Sequence, residues 1–190
     1  MQAGETLRVF DGRGNEFEAT LDQVAKRSAK LVLGVACSVN RESPLHLSLI
    51  QGISKGERMD FSIQKAVELG VTRIVPVITE RCNVSLDRER QDKKFEHWRG
   101  VMISACEQSG RNVLPELAPV MKLTDWLTGA VNGLRLMLNP LGTESLASIK
   151  VETQAISLVI GPEGGLSPTE LKLGAQRGAR GVRLGPRILR

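Results

Sequence analysis

"AISLVIGPEGGLSPTELKLG", residues 155–174, is the stretch on which the reading of this chain turns. An apolar run of strand length, residues 156–160, enters a five-residue loop made of Gly161, Pro162, Glu163, Gly164 and Gly165. A helix start follows, with Ser167 as N-cap, Pro168 at the first helical position and Glu170 at capping-box spacing. Strand, glycine loop and helix form the repeating unit of an open α/β sheet, and such sheets hold ligands at the carboxyl ends of their strands. The glycines let the backbone turn and approach a ligand without a Cβ in the way, with Gly164 expected at positive φ. A phosphate cradle is a poor match, because Glu163 puts a negative charge among the amides and no Lys-Ser/Thr pair follows. A ligand with hydroxyls, an amine or a cationic centre matches better. A tight turn with no ligand is the alternative.

Outward from this loop, strand-like and helical patterns alternate. Residues 45–52 (LHLSLIQG) read as a strand, followed by a helix in which Ser54 and Glu57 have capping-box spacing and Met59, Ile63, Ala66 and Val67 form a stripe up to Gly70. RIVPVI, 73–78, is a strand, and a long helix over about 90–109 presents Phe95, Trp98, Met102 and Ala105 on one face. LTDWLTGA is a short helix, and LRLMLN joins AISLVIG as a further strand. This order predicts a mostly parallel α/β sheet flanked by helices.

The first residues differ. TLRVF (6–10) and EFEATL (16–21) flank DGRGN as a hairpin, and LVLGVAC (31–37) adds a third strand. We therefore divide the chain into a β module over 1–38, a linker over 39–44 closed by Pro44, and an α/β domain over 45–190. With 190 residues and 41% hydrophobic content, one real core and a small appendage are within reach. A net charge of +5 favours a polyanionic partner. Four Phe, two Trp and no Tyr make a surface of several base-stacking rings improbable, so RNA contact would rest on Arg and Lys. Cys37, Cys82 and Cys106 are scattered and lack zinc spacing, which suits a reducing cytoplasm and no metal. No apolar run reaches membrane-spanning length.

Two further stretches carry charge. In CEQSGR, 106–111, Glu107 lies opposite Trp98 on the helix, and Arg111 falls four residues on, the favourable order for an ion pair. The pair is either solvated surface or an arginine aimed at phosphate or developing negative charge. LGPRILR, 184–190, ends the chain on arginines around Ile188 and Leu189, and is uninformative alone.

In this order, KGERMDFSIQKAVELGV, ACEQSGR, LVIGPEGGLSPTE and LGPRILR resemble the bacterial 16S ribosomal RNA uracil-1498 N3-methyltransferase family, of the SPOUT class of trefoil-knotted methyltransferases. The resemblance covers about residues 45–190, and residues 1–37 look like the later part of that family's PUA-like β-barrel. It implies a SPOUT-type knotted parallel sheet preceded by a partial PUA-like barrel, with a homodimer acting on 16S rRNA of the small ribosomal subunit in the cytoplasm. It also implies that earlier barrel strands and a last helix belong to the family pattern outside the residues present here, the carboxyl end being truncated. S-adenosyl-L-methionine would bind between three loops. The first is Leu138, Asn139, Pro140, Leu141 and Gly142. The second is Gly161, Pro162, Glu163, Gly164 and Gly165. The third is Leu184 and Gly185 with Ile188 and Leu189.

Methylating N3 of uracil requires loss of a proton whose pKa lies well above neutrality. On the resemblance, Arg111 or Arg190 stabilises the resulting charge and Glu163 is the candidate base, with the arginines ranked above the acid. Lys55, Arg58, Glu107, Gln108, Arg111 and Arg187 would meet the RNA. The methyl donor is a sulfonium, so no metal is implied. The competing expectations are another SPOUT enzyme acting on a transfer RNA base or a ribose 2′-hydroxyl, and a noncatalytic ribosome-binding protein.

Overall fold

A computed structural model describes residues 2–82, 88–130 and 132–187. The chain divides into two compact units, Met1–Glu42 with Cys106–Leu114, and Ser43–Ala105 with Pro115–Arg190. The CEQSGR stretch, residues 106–111, groups with the first unit.

The first unit is an antiparallel sheet of β1 (Thr6–Phe10), β2 (Glu16–Val24) and β3 (Ala29–Cys37), in that order. Its hairpin forms as expected. Asp11 accepts from the Arg13 N–H at 2.7 Å and from the Asn15 side chain at 2.6 Å, while Gly12 and Gly14 take positive φ. Those bonds, led by the Asn15 amide, hold the Asp11 carboxyl below its ordinary range. Residues 106–114 lie against this hairpin: the Gly14 N–H donates to Asn112 O at 2.9 Å and the Leu114 N–H to Gly12 O at 2.9 Å.

The second unit is a parallel sheet flanked by helices. Its strands are β4 (His46–Gly52), β5 (Arg73–Ile78), β6 (Glu116–Leu117), β7 (Met121–Lys122), β8 (Leu134–Leu138), β9 (Glu144–Ser145), β10 (Ala155–Ile160) and β11 (Arg180–Arg183). The spatial order is β6-β5-β4-β10-β8-β11-β9, with β7 also on β5. Every pairing in this sheet is parallel. One face carries Ile50, Val75, Met137 and Val159 against α3 (Leu123–Thr128) and α4 (Pro168–Gln176), with Trp126, Leu127 and Leu171 filling the layer. On the other face Leu136, Ile156 and Val182 pack with Leu47, Leu138 and Leu158.

Helix α1 (Glu57–Glu68) buries Met59, Ile63 and Val67, as the stripe predicts, and Gly70 at φ 91 ends it. Its start differs from expectation. The N-cap is Gly56 at φ 56, and no side chain caps the helix, so Ser54 and Glu57 form no capping box. The chain is already turned there by the glycine, and the Lys55 N–H is taken by Glu163. The long helix α2 (Arg88–Ser109) buries Trp98, Met102 and Ala105. No helix among the described residues is long and apolar enough to cross a membrane.

Candidate functional site: three loops on one sheet edge

Strands β10, β8 and β11 are adjacent and parallel, so the segments leaving their carboxyl ends emerge on the same edge of the sheet. Those segments are 161–165, 139–142 and 184–187, the loops expected from the resemblance. Because β8 lies between two strands that follow it in the chain, the sequence order reverses here, as at the ligand crevices of open α/β sheets. Ile188 and Leu189, expected to bind cofactor, and Arg190, expected to act in catalysis, lie outside the described residues.

In these loops the backbone packs closely on itself. A Cβ on Gly161 would stand 2.8 Å from the Gly165 carbonyl carbon and 2.9 Å from the Leu166 nitrogen. A Cβ on Gly142 would come within 3.0 Å of Asn139 O and 3.2 Å of Gly181 O. Positive φ is needed at Gly165 (φ 70) rather than at Gly164. Gly164 is a glycine for another reason, since a Cβ there would meet the Arg81 Cβ at 3.3 Å. The Asn139 side chain folds back to accept from the Leu141 N–H at 3.0 Å, and the Asn139 N–H donates to Val182 O at 2.8 Å, which joins the first loop to β11. Leu141 and Leu184 stand exposed on two of the loops. Close backbone and exposed leucines, with no phosphate-binding lysine motif, fit the adenosine and methionine parts of S-adenosylmethionine better than a nucleotide phosphate.

Charged side chains hold the glycine loop in place. The Glu163 carboxylate accepts from the Lys55 N–H at 3.2 Å and from Arg58 Nη1 at 2.9 Å. Its own backbone N–H is the largest cause that keeps it below the ordinary carboxylate range, with Arg58 and the Lys55 N–H adding to it. Arg81 Nη1 donates to Gly164 O at 3.0 Å from the segment after β5. Glu170, buried, accepts from the Ser167 N–H at 2.8 Å and from the Glu80 N–H at 2.9 Å, while Ser167 Oγ accepts from the Glu170 N–H at 3.1 Å. The expected capping box is therefore present and also ties α4 to residue 80. Arg81 and the second bond of Glu170 were missed from sequence; the available signal was a Glu-Arg pair directly after a strand, on the ligand-bearing edge.

The expected RNA-facing residues separate. Lys55 and Arg58 sit beside the glycine loop, and Arg187 is exposed on the loop after β11. Glu107 and Gln108 are exposed in the last turn of α2 and belong to the first unit. Arg111 overturns its expected pairing with Glu107. The helix ends at Ser109, Gly110 takes φ 72, and Arg111 is buried. Its Nε donates to Glu42 Oε1 at 3.0 Å and its Nη2 to Glu42 Oε2. Next to it the Cys106 thiol is pushed up by burial, which keeps it an unreactive core group.

Fold and loop cluster together define an RNA methyltransferase domain: the family described in those words matches residues 41–190. Relatives narrow it further. Ribosomal RNA small subunit methyltransferase E of Buchnera aphidicola from Schizaphis graminum is 34% identical over 191 residues, spanning all of this chain and 78% of the relative. The crystal structure of the same-named protein of Neisseria gonorrhoeae, bound to S-adenosylmethionine, is 40% identical with a TM-score of 0.95, again over all of this chain and 78% of that one. A Legionella pneumophila protein in complex with the bound cofactor SAM is 43% identical, with a TM-score of 0.96 and the same coverage. The chain belongs to the family of ribosomal RNA small subunit methyltransferase E.

Proposed function

We propose that this protein transfers a methyl group from S-adenosylmethionine to N3 of a uridine, the uridine-1498 site, in 16S rRNA of the small ribosomal subunit. The observation that carries the reading is the gathering of three loops at the ends of β10, β8 and β11, in a chain that superposes closely on relatives solved with S-adenosylmethionine. The finer architecture belongs to the same proposal. The segment beyond β11 threads a trefoil knot, the first unit is part of a PUA-like barrel, and the enzyme works as a cytoplasmic homodimer. Its domains are the β module over 1–38 and the methyltransferase domain over 45–190.

Bound S-adenosylmethionine supplies an electrophilic methyl group on a sulfonium. Everything else falls to the chain. Residues 138–142, 161–165 and 184–189 hold the cofactor through backbone groups and leucine contacts. Glu163 is ionised at neutral pH and committed to Lys55 and Arg58, so its work is to hold the loop; taking a proton from a group as weakly acidic as uracil N3–H would be strongly uphill for it. The N3 proton passes to water, and the negative charge that develops on the base is met by Arg58 beside the glycine loop and by Arg190, which lies outside the described residues. Arg187, Lys55 and the exposed Glu107–Gln108 turn remain the RNA contacts of this reading. Arg111 acts through its pair with Glu42, holding residue 111 against the segment after β3.

Titration with S-adenosylmethionine, followed by methyl transfer to small subunits from cells lacking the modification, tests the proposal. Mass spectrometry of the rRNA should place one methyl on a uridine base. Saturable cofactor binding with the methyl on a ribose or on transfer RNA would refute the substrate, and no saturable binding would refute the enzyme.

A further inference from the structure

The opposite edge of the sheet, at the amino ends of the strands, carries a feature the methyltransferase reading does not use. Arg73 on β5, Ser48 on β4, Ser157 on β10 and Arg135 on β8 are register neighbours across four adjacent parallel strands. In-register parallel neighbours point to one face, so these side chains form a polar row. The face is the one covered by α3 and α4, where the next row toward the carboxyl edge is Ile50, Val75, Met137 and Val159. Beside the polar row lies a cavity of ≈ 300 Å³, lined by Arg73, Ser48, Ser157, His46, Asn132 and the Trp126 ring among others.

Ser157 is 5% exposed, and neither its hydroxyl nor that of Ser48 hydrogen-bonds to any described residue. Both hydroxyls therefore remain available to an occupant of the cavity that accepts or exchanges hydrogen bonds. The lining chooses its sign. Among the described residues no carboxylate lines the cavity, while Arg73, its side chain 47% exposed, brings a guanidinium whose Nε meets Glu116 at 3.3 Å and whose remaining N–H groups have no described partner. Arg135 stays in the row as fixed positive charge, its Nη1 on Leu127 O at 3.1 Å and Arg177 O at 3.4 Å, its Nη2 on Gly129 O at 2.7 Å. Two hydroxyls and the Arg73 guanidinium on the cavity wall, with the charge of Arg135 behind the row, offer donors to a compact, multiply accepting anion.

We propose that this cavity is a second ligand site, taking a tetrahedral phosphate group through Ser48, Ser157 and Arg73, with the positive charge of Arg135 behind it. The group comes either as free inorganic phosphate or as a phosphodiester of an RNA strand. It is independent of the carboxyl-edge loops.

The test follows backbone amide signals while the full chain is titrated first with inorganic phosphate and then with a short single-stranded oligoribonucleotide, chloride serving as the ionic-strength control. Saturable shifts at Ser48, Arg73 and Ser157, weakened about tenfold or more by Arg73→Gln and by Ser157→Ala, are expected for a charge-assisted site. If the oligoribonucleotide produces those shifts, the source is a phosphodiester; if only phosphate does, it is the free anion. Either outcome supports the site. Absence of saturable shifts, or equal shifts in the folded Arg73→Gln protein, overturns it. S-adenosylmethionine added to the same sample reports on residues 161–165, so failure of the cofactor reading is seen separately.

Discussion

Arg81 reaches the glycine loop from the segment after β5, and its stem occupies the room a side chain at Gly164 would need. It touches the loop rather than the proposed ligand position, which makes it a positioning residue. Arg81→Ala is expected to weaken S-adenosylmethionine binding about tenfold, the worth of one charge-assisted hydrogen bond, with faster amide exchange at residues 164–166 and partial rescue by Arg81→Lys. Weaker binding of ribosomal subunits with cofactor affinity intact would make it an RNA contact instead. Gly161→Ala should be more severe, because its Cβ collides with backbone that cannot move without opening the turn; calorimetric cofactor affinity equal to wild type in a folded variant would count against the loop assignment. Glu163 gives a pH signature. Its folded-state pKa is depressed, so its hold on Lys55 and Arg58 is complete above the ordinary carboxylate value of about 4.3 and is lost as pH falls through the lower folded value. Once intrinsic rates are corrected for, amide exchange in 161–165 should accelerate in that acid window, and Glu163→Gln should abolish the acceleration.

Elements announced themselves where their local signals were strong. The SPTE start, the Asp-Gly hairpin, the α1 stripe and the strands 73–78 and 156–160 were all legible, because capping, turn and periodicity are written in neighbouring residues. The helix start at Ser54 was misread because a glycine at φ 56 does the turning that a capping box would otherwise do. Strand β11, RGVR, was not legible: only Val182 is buried, and a short polar segment becomes a strand by pairing with β8 and β9. Arg135 was passed over as one polar residue in an apolar strand, yet it meets the final carbonyls of α3 and α4 and lies over the Trp126 ring at 5.4 Å. Arg135→Leu should therefore cost about 2 to 3 kcal/mol of stability by denaturant unfolding, since it strips donors from helix ends that are favourable places for a cation. An unchanged midpoint would mean that water replaces it freely.

For the whole molecule, sequence spacing misled most where distant residues meet. Arg111 follows Glu107 by four, but its described partner is Glu42, and the pair ties residue 111 to the segment after β3 within the first unit. Arg111→Ala leaves a largely buried carboxylate unpaired, so about 2 to 4 kcal/mol of unfolding free energy should be lost, while cofactor affinity in the second unit stays within about twofold. A large loss of affinity with stability intact would restore a ligand-facing role. The order of strands was equally hidden, because nothing local says that β10 enters between β4 and β8. That order has a consequence for how the protein is made. While it emerges from the ribosome, β4 exists long before the strand that joins it to β8, and β8 shortly before, each with an open edge able to pair wrongly with other chains. Correct closure waits for residues 155–160, and the loop after β11 for 180–183 after that, so the nascent chain passes through an interval in which its first parallel strands keep an unpaired edge.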